Sequence, residues 1–397
     1  MSDSALYRRA VVLGLLIAVG AFAIDMYIPG FAAIAADLGS DPGTVQLSMT
    51  SFFVALALGQ VVYGPLSDAI GRRRPIFAGL ALFIVASLAA AAAPGIGTLI
   101  AARFVQGLGA AATAVVPMAV IRDEYVGPPA AQLLSLAMLA LSVSPILAPV
   151  AGGLLVQHAS WRVIFFVLVV IALAAMALVA RFLPETLPPA RRISAHPLPV
   201  LLTYGRLLRS RRFILPILIA GCAQAVLFGF IAGSPFIFVT LFALSPPVFG
   251  LLFALHAAVL IGISQLNAIL LRRLGMRRLI GGAALVVALG ALALAALTFG
   301  GGATLGRVLT LTLTIFAALG LIMAPAFLAA MEPFGAMAGA AAALGAAIEF
   351  SLSSATTLLM GLFADGTARP FALCIAVVAC GALAGWAAFV RLVPAER

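Results

Sequence analysis

Twelve apolar runs, each close to or above the length of a membrane-crossing helix, constrain this chain more than anything else in it. They fall at about 10–34, 45–66, 75–93, 98–120, 131–156 and 162–183. The second set lies at about 213–241, 247–271, 279–298, 307–329, 337–363 and 370–392. A helix needs about 20 apolar residues to cross the hydrocarbon of a bilayer. Only helices and closed barrels satisfy all their backbone hydrogen bonds there. The runs are continuous rather than alternating, so helices are predicted. A water-soluble core has no use for a chain of 397 residues that is 64% hydrophobic and 9% charged. The run after Arg8 and Arg9 is too long for a signal peptide and reads as a retained first span.

The longest polar segment, 184–212, holds five prolines and many arginines. It reads as a linker between an N-terminal six-helix bundle, 1–183, and a C-terminal one, 213–397. The predicted fold is therefore an all-α integral membrane protein of twelve helices in two pseudo-symmetric halves. Every basic residue other than histidine is arginine. With the N-terminus inside, the outer loops and helix ends carry only Arg162, Arg307 and Arg369. That asymmetry follows the positive-inside rule and puts both termini in the cytoplasm. A weak internal echo supports the halves: Leu274-Gly275-Met276-Arg277-Arg278 matches Ile70-Gly71-Arg72-Arg73-Arg74. Arg307 follows Arg103 at the same interval. In the echo, Arg272 stands where Asp68 would.

The net charge of +11 follows topology and forms no patch with aromatics, so nucleic acid is not the expected partner. Cys222, Cys374 and Cys380 lie in apolar runs without metal-like spacing and read as small buried hydrophobes. No P-loop, triad or metal cluster occurs. The chain reads as no enzyme and needs no cofactor or metal.

Charges inside the spans are the candidate working residues, because a charge in hydrocarbon usually faces the protein interior or a wet cavity. Asp25 lies in Ile24-Asp25-Met26-Tyr27-Ile28-Pro29, where Pro29 can open the helix and free carbonyls. It is a candidate proton carrier or partner of a cation, or simply an interhelical partner. Arg103 stays charged at any relevant pH. Its approach to a carboxylate would favour the ionised acid, which can couple arginine movement to proton release; a fixed interhelical bridge is the simpler reading. Glu349 interrupts span eleven with no base beside it in sequence. Tyr27 and Gln106 complete the candidate cavity set. His256 and several amides read mostly as interhelical hydrogen-bond partners.

Two further stretches bear on conformational change. Gly64-Pro65-Leu66-Ser67-Asp68-Ala69-Ile70-Gly71-Arg72-Arg73-Arg74-Pro75 joins two spans through a tight turn, with an acid before it and arginines after it. Gly64, Asp68, Gly71, Arg72 and Arg73 form a candidate latch, although the arginines alone would serve topology. Ser142 to Gly153 carries Pro145 and Pro149, which remove helix hydrogen bonds, and Gly152 and Gly153, which permit close backbone approach.

These stretches resemble a known family. The Gly64–Pro75 loop is similar to the loop after the second helix of major facilitator superfamily transporters. Arg103-Phe104-Val105-Gln106-Gly107-Leu108-Gly109 resembles their fourth-helix motif. Pro149-Val150-Ala151-Gly152-Gly153 resembles the fifth-helix motif of their antiporters, with Ala148 replacing its first glycine. Asp25-Met26-Tyr27-Ile28-Pro29, Ile121-Arg122-Asp123, Ser160-Trp161-Arg162 and Pro184-Glu185-Thr186 look like the Bcr/CflA-type drug-resistance branch, and the Glu349 region resembles amphenicol exporters. The resemblance implies alternating access and exchange of a small, lipophilic drug for protons across a bacterial inner membrane, by a functional monomer. The competing expectations are export of an endogenous metabolite, such as a siderophore or sugar, and a non-transporting sensor or scaffold.

Overall fold

The computed structural model describes residues 3–125, 128–192 and 197–393. Among the described residues, twelve helical spans are long and apolar enough to cross a membrane. The first span is α1 (Asp3–Asp25), which continues after a break as α2 (Phe31–Asp37). Then come α3 (Pro42–Ile70), α4 (Arg73–Ala91), α5 (Ile96–Glu124), α6 (Pro128–His158) and α7 (Arg162–Phe182). After α8 (Pro197–Arg209) follow α9 (Arg211–Pro235), α10 (Pro246–Ser264), α11 (Asn267–Leu274) and α12 (Met276–Phe299). The chain ends with α13 (Leu305–Leu319), α14 (Met323–Met331), α15 (Ala338–Leu362) and α16 (Arg369–Leu392).

Three predicted spans are interrupted rather than continuous. The first breaks between Asp25 and Phe31 around a short 3-10 turn at Ile28–Gly30. Pro29 has no N–H to continue the α-helical ladder. The eighth breaks between α10 and α11, and the tenth between α13 and α14. These last two breaks pack together: Asn267 Nδ2 donates to the Gly320 carbonyl at 2.9 Å. A carbonyl freed by one break is thus satisfied from the other, as lipid requires.

The segment expected as a linker contains α8. Tyr204 and Leu207 are buried in a small cluster with Phe213, Ile217 and Ala341, whereas Leu201, Leu202 and Leu208 are exposed. A short helix with apolar side chains on both its protein and outer sides suits the membrane interface. Residues 193–196 lie outside the described residues.

Within the first six spans, packing relies on glycine. A Cβ on Gly107 would meet the Phe52 carbonyl of α3, and one on Gly109 would lie 2.6 Å from the Gly79 carbonyl of α4. Small residues let helices in lipid bring backbones together, where dispersion replaces the absent hydrophobic drive. Two pairs then join the first six spans to the last six, α3 against α15 and α6 against α10. The echo between Gly71 and Gly275 is real in the backbone: both have positive φ, +93° and +75°, ending one helix and starting the next. That between Arg103 and Arg307 is not, since Arg103 is fully buried and Arg307 is exposed.

Gly109→Val is expected to destabilise the chain by about 1–3 kcal/mol through overpacking, read as a lower thermal unfolding midpoint in detergent. Gly282→Val, where an added Cβ meets nothing within 4 Å, should change stability by about 0.5 kcal/mol or less. Equal losses in both variants would contradict the packing role of Gly109.

Candidate functional site

The antiparallel seam of α3 and α15 organises the site. Toward the arginine-rich end, a cavity of about 720 Å³ lies between the two sets of six spans. Gln60, Ser67 and Asp68 of α3 supply polar groups to it, and Arg122 of α5 joins them. Phe327 of α14 and Ala346 of α15 belong to its apolar wall. Beyond it, rings close the seam. Phe53 meets Phe228 edge-on at 4.5 Å between centroids, and Phe228 lies 5.5 Å from Phe350. Further still, Thr50 Oγ1 donates to Thr357 Oγ1 at 2.9 Å. At the opposite face Gly43 packs so tightly that its Cβ would lie 2.8 Å from the Gly361 carbonyl.

The α6–α10 seam closes the same end. A Cβ on Gly153 would lie 2.7 Å from the Pro246 carbonyl, and one on Gly250 2.7 Å from the Pro149 carbonyl. Gly152 faces the Met26 carbonyl at the break in the first span, and its Cβ would clash there. Pro145 and Pro149 both lie inside α6. Pro149, Gly152 and Gly153 therefore form backbone contacts at the closed end.

Arg103 is fully buried and has no carboxylate partner among the described residues. Its guanidinium lies 4.5 Å from the Tyr27 ring centroid and 4.3 Å from that of Phe52. It donates to Gln106 Oε1, and Nη2 reaches Met49 Sδ at 3.5 Å, while Nε has no partner among the described residues. Gln106 Nε2 passes the network on to Ser87 Oγ at 2.7 Å. The Tyr27 hydroxyl pairs with Ser48 Oγ at 2.7 Å. Cation–π attraction, worth more when desolvated, stands where the sequence suggested an acid.

Asp25 ends α1 and accepts a long hydrogen bond from Ser144 Oγ at 3.4 Å. It does not pair with Arg103 in this state. Glu349 is buried, with no side-chain partner among the described residues. Its Cα and Cγ face Gly221 of α9. None of the three charges lines the large cavity, although Glu349 follows Ala346 by one turn of α15. His256 Nε2 is joined to Thr312 Oγ1 at 2.9 Å, and Nδ1 to the Leu252 carbonyl at 2.7 Å. Phe230 and Phe316 stack beside its ring, giving it a satisfied packing role.

The predicted latch residues meet, with three additions, Ser67, Asp123 and Glu185. Arg72 Nε donates to Asp123 Oδ2 at 2.7 Å, and Nη2 to Oδ1 at 3.2 Å. Nη1 donates to Asp68 and Ser67 at 2.6 and 2.7 Å. Ser67 Oγ in turn donates to the Gly64 carbonyl at 2.9 Å. Glu185 accepts the backbone N–H groups of Arg72 and Arg73 at 2.8 and 3.2 Å. Gly71 must be glycine twice over: its φ is positive, and a Cβ would strike the Glu185 carboxylate. The Arg73 side chain instead reaches the Ala180 carbonyl and covers Phe77.

Burial works against the charge on Arg72, but its bonds to Asp123 and Asp68 outweigh that and raise its pKa. Burial likewise opposes ionisation of Glu185, but N–H donors from Arg72, Leu187 and Arg73 hold its carboxyl below the usual value. Asp123 and Glu185 were visible in the sequence only as parts of short motifs. The signal that could have found them is an acid flanking a loop whose arginines need partners.

Asp123→Asn should destabilise by about 1.5–3 kcal/mol, the range for a hydrogen bond to a charged group, and more than Asp68→Asn, because Asp68 is half exposed. Unfolding midpoints in detergent decide this, and the reverse order would contradict it. The depressed Glu185 pKa adds stability that is complete above its ordinary value of 4.5 and lost as pH falls through the lower folded value. The difference between wild type and Glu185→Gln should accordingly shrink below about pH 4.5. A difference constant from pH 7 to pH 3 would exclude that role.

The Major Facilitator Superfamily sequence model matches residues 13–356. The chain is 35% identical over 362 residues to "Uncharacterized MFS-type transporter YdgK" of Bacillus subtilis (strain 168), covering 89% of this chain and 88% of that one. It is 37% identical over 178 residues to "Multidrug resistance protein D" of Escherichia coli (strain K12), 45% of each. To the "Bicyclomycin resistance protein homolog" of Haemophilus influenzae (strain ATCC 51907 / DSM 11121 / KW20 / Rd) it is 29% identical, over 66% of each. Among solved structures it superposes on a D-xylose-proton symporter with a TM-score of 0.78 at 15% identity. That match covers 99% of this chain and 98% of the symporter, a likeness of fold.

Proposed function

The chain belongs to the major facilitator superfamily and to its drug-resistance branch, and from that premise we propose that it exports small drug-like molecules in exchange for protons. It is a multi-pass transporter of the bacterial inner membrane, not an enzyme. The observation that carries the proposal is the asymmetry of the seam. An apolar cavity of about 720 Å³ lies toward the arginine-rich end, while glycine contacts, a Thr50–Thr357 bond and three rings close the other. Such a volume suits a drug-sized ligand with a few polar anchors.

In this mechanism the arginine-rich face is cytoplasmic, and the state described takes up cargo from inside. The seam then closes at the arginine-rich end and opens at the other. There a proton neutralises Asp25 or Glu349, and the loaded acid favours the return. Glu349 is the better placed to couple to cargo, one turn beyond Ala346 and without a side-chain partner among the described residues. Arg103 acts with Asp25 only if the break at Met26–Tyr27 shifts, since Tyr27 stands over the guanidinium. The Arg72 network braces the arginine-rich end of α3, α4 and α5 and acts as the latch when that end closes. A 100 mV potential gives about 2.3 kcal/mol per proton. That sustains roughly a 50-fold gradient of neutral cargo, at ~1.4 kcal/mol per tenfold.

Purified protein in liposomes with an imposed pH gradient should show cargo-dependent proton flux. Neutralising Asp25→Asn and Glu349→Gln together should reduce it about tenfold or more, the factor for ~1.4 kcal/mol of lost coupling. Undiminished coupling in the double variant would remove both acids as carriers. Flux only with a siderophore or sugar would favour a metabolite exporter.

A further inference from the structure

A second cavity, of about 280 Å³, lies at the closed end, beyond the Thr50–Thr357 bond and beside the Gly43–Gly361 contact. One wall comes from α2 and α3, with Phe31, Pro42 and Gln46. The other comes from α9, α15 and α16, with Ala232, Met360 and Phe371. Both sets of six spans therefore contribute. Gln46 is 7% exposed, and its Nε2 has no hydrogen-bond partner among the described residues. An orphaned donor this deep is uncommon in folded proteins and calls for an explanation. Leaving it without an acceptor is unfavourable, so an acceptor brought by a ligand has a ready partner. The remaining wall is aromatic and thioether, which suits a flat ring.

The rim narrows the choice of ligand. Asp41 lines the cavity and accepts the Thr44 N–H at 2.9 Å. Asp365 lies between two lining residues and accepts the Thr367 N–H at 2.9 Å. Bonds from Thr44 and Thr367, in each case the leading influence, hold both carboxyls below the usual value. Arg369 offsets the charge of Asp365, but Asp41, ionised in the lining itself, disfavours an anion.

We propose that this cavity binds a small uncharged aromatic amide, its carbonyl accepting from Gln46 and its ring between Phe31 and Phe371, and that it does so only while the opposite-face ends of α3 and α15 are together. The size limits the ligand to a fragment, below the usual drug-site range of about 300–1,000 Å³. Since its walls belong to different halves, separating them dismantles it. A ligand that binds one of two states shifts the population toward that state. Occupancy from the opposite face thus holds the protein with its large cavity at the arginine-rich end and slows the cycle. The slowing rests on the alternating-access reading; the binding does not.

Acetanilide serves as the probe, with 4-acetamidobenzoate as its anionic counterpart. Saturation-transfer NMR on the purified full chain in detergent should give a signal for acetanilide that is at least halved in Gln46→Leu. It should also be at least halved in Ala32→Trp, which fills the mouth from an exposed position. The anion should give little signal. Spin labels on Ala36→Cys and Phe363→Cys, with Cys222, Cys374 and Cys380 changed to Ala, should shift toward the short distance on adding acetanilide. Equal signals in wild type and both variants, or equal binding of the anion, would overturn the site. Binding without a shift in label distance would overturn its dependence on state. Both readouts stand whether or not the protein exchanges drug for protons.

Discussion

Backbone-to-backbone contact at one end of two seams is the constraint on which the rest of this structure depends. Gly43, Gly153 and Gly250 each sit where a Cβ would press on a carbonyl of the facing helix. In lipid, dispersion and hydrogen bonding are the forces left to hold helices together. Contacts this short are either made fully or lost, because packed surfaces deform little. The cavity lies at the arginine-rich end of the same seams whose other end the glycines close.

Buried charge is handled in three different ways. At the arginine-rich end, Arg72 meets two carboxylates in a fork whose geometry supports its burial. Around Arg103, two ring faces and an amide replace a counter-ion. At Glu349 there is no side-chain partner at all among the described residues. The series runs from fully compensated to uncompensated charge. The fork therefore braces the arginine-rich end, while Glu349 lies one turn of α15 beyond Ala346 of the cavity wall.

Much of this was legible in the sequence because its cause is local. Run length and continuity gave twelve spans, since hydrocarbon thickness fixes helix length. Gly71 was readable as a turn, and Gly152 and Gly153 as close-approach positions, because only glycine meets those steric demands. Asp25, Arg103 and Glu349 stood out because a charge in an apolar run is rare. The breaks at Gln265 and Gly320 were not legible, since each is tolerated only because the other side supplies a partner. Nor was α8, whose inner face is defined by Phe213, Ile217 and Ala341 from elsewhere in the chain.

The sequence by itself determined that the chain crosses a membrane twelve times, that arginine marks one face, and which residues carry charge inside. Those properties follow from transfer energies and backbone sterics, which act residue by residue. Tertiary structure alone decided the partners. It gave Arg72 to Asp123, set Arg103 against Tyr27 and Phe52 instead of Asp25, and left Glu349 and Gln46 without side-chain partners among the described residues. Partners are set by which helices meet, and at what depth. That depends on the summed packing of many small side chains, so no single residue announces it.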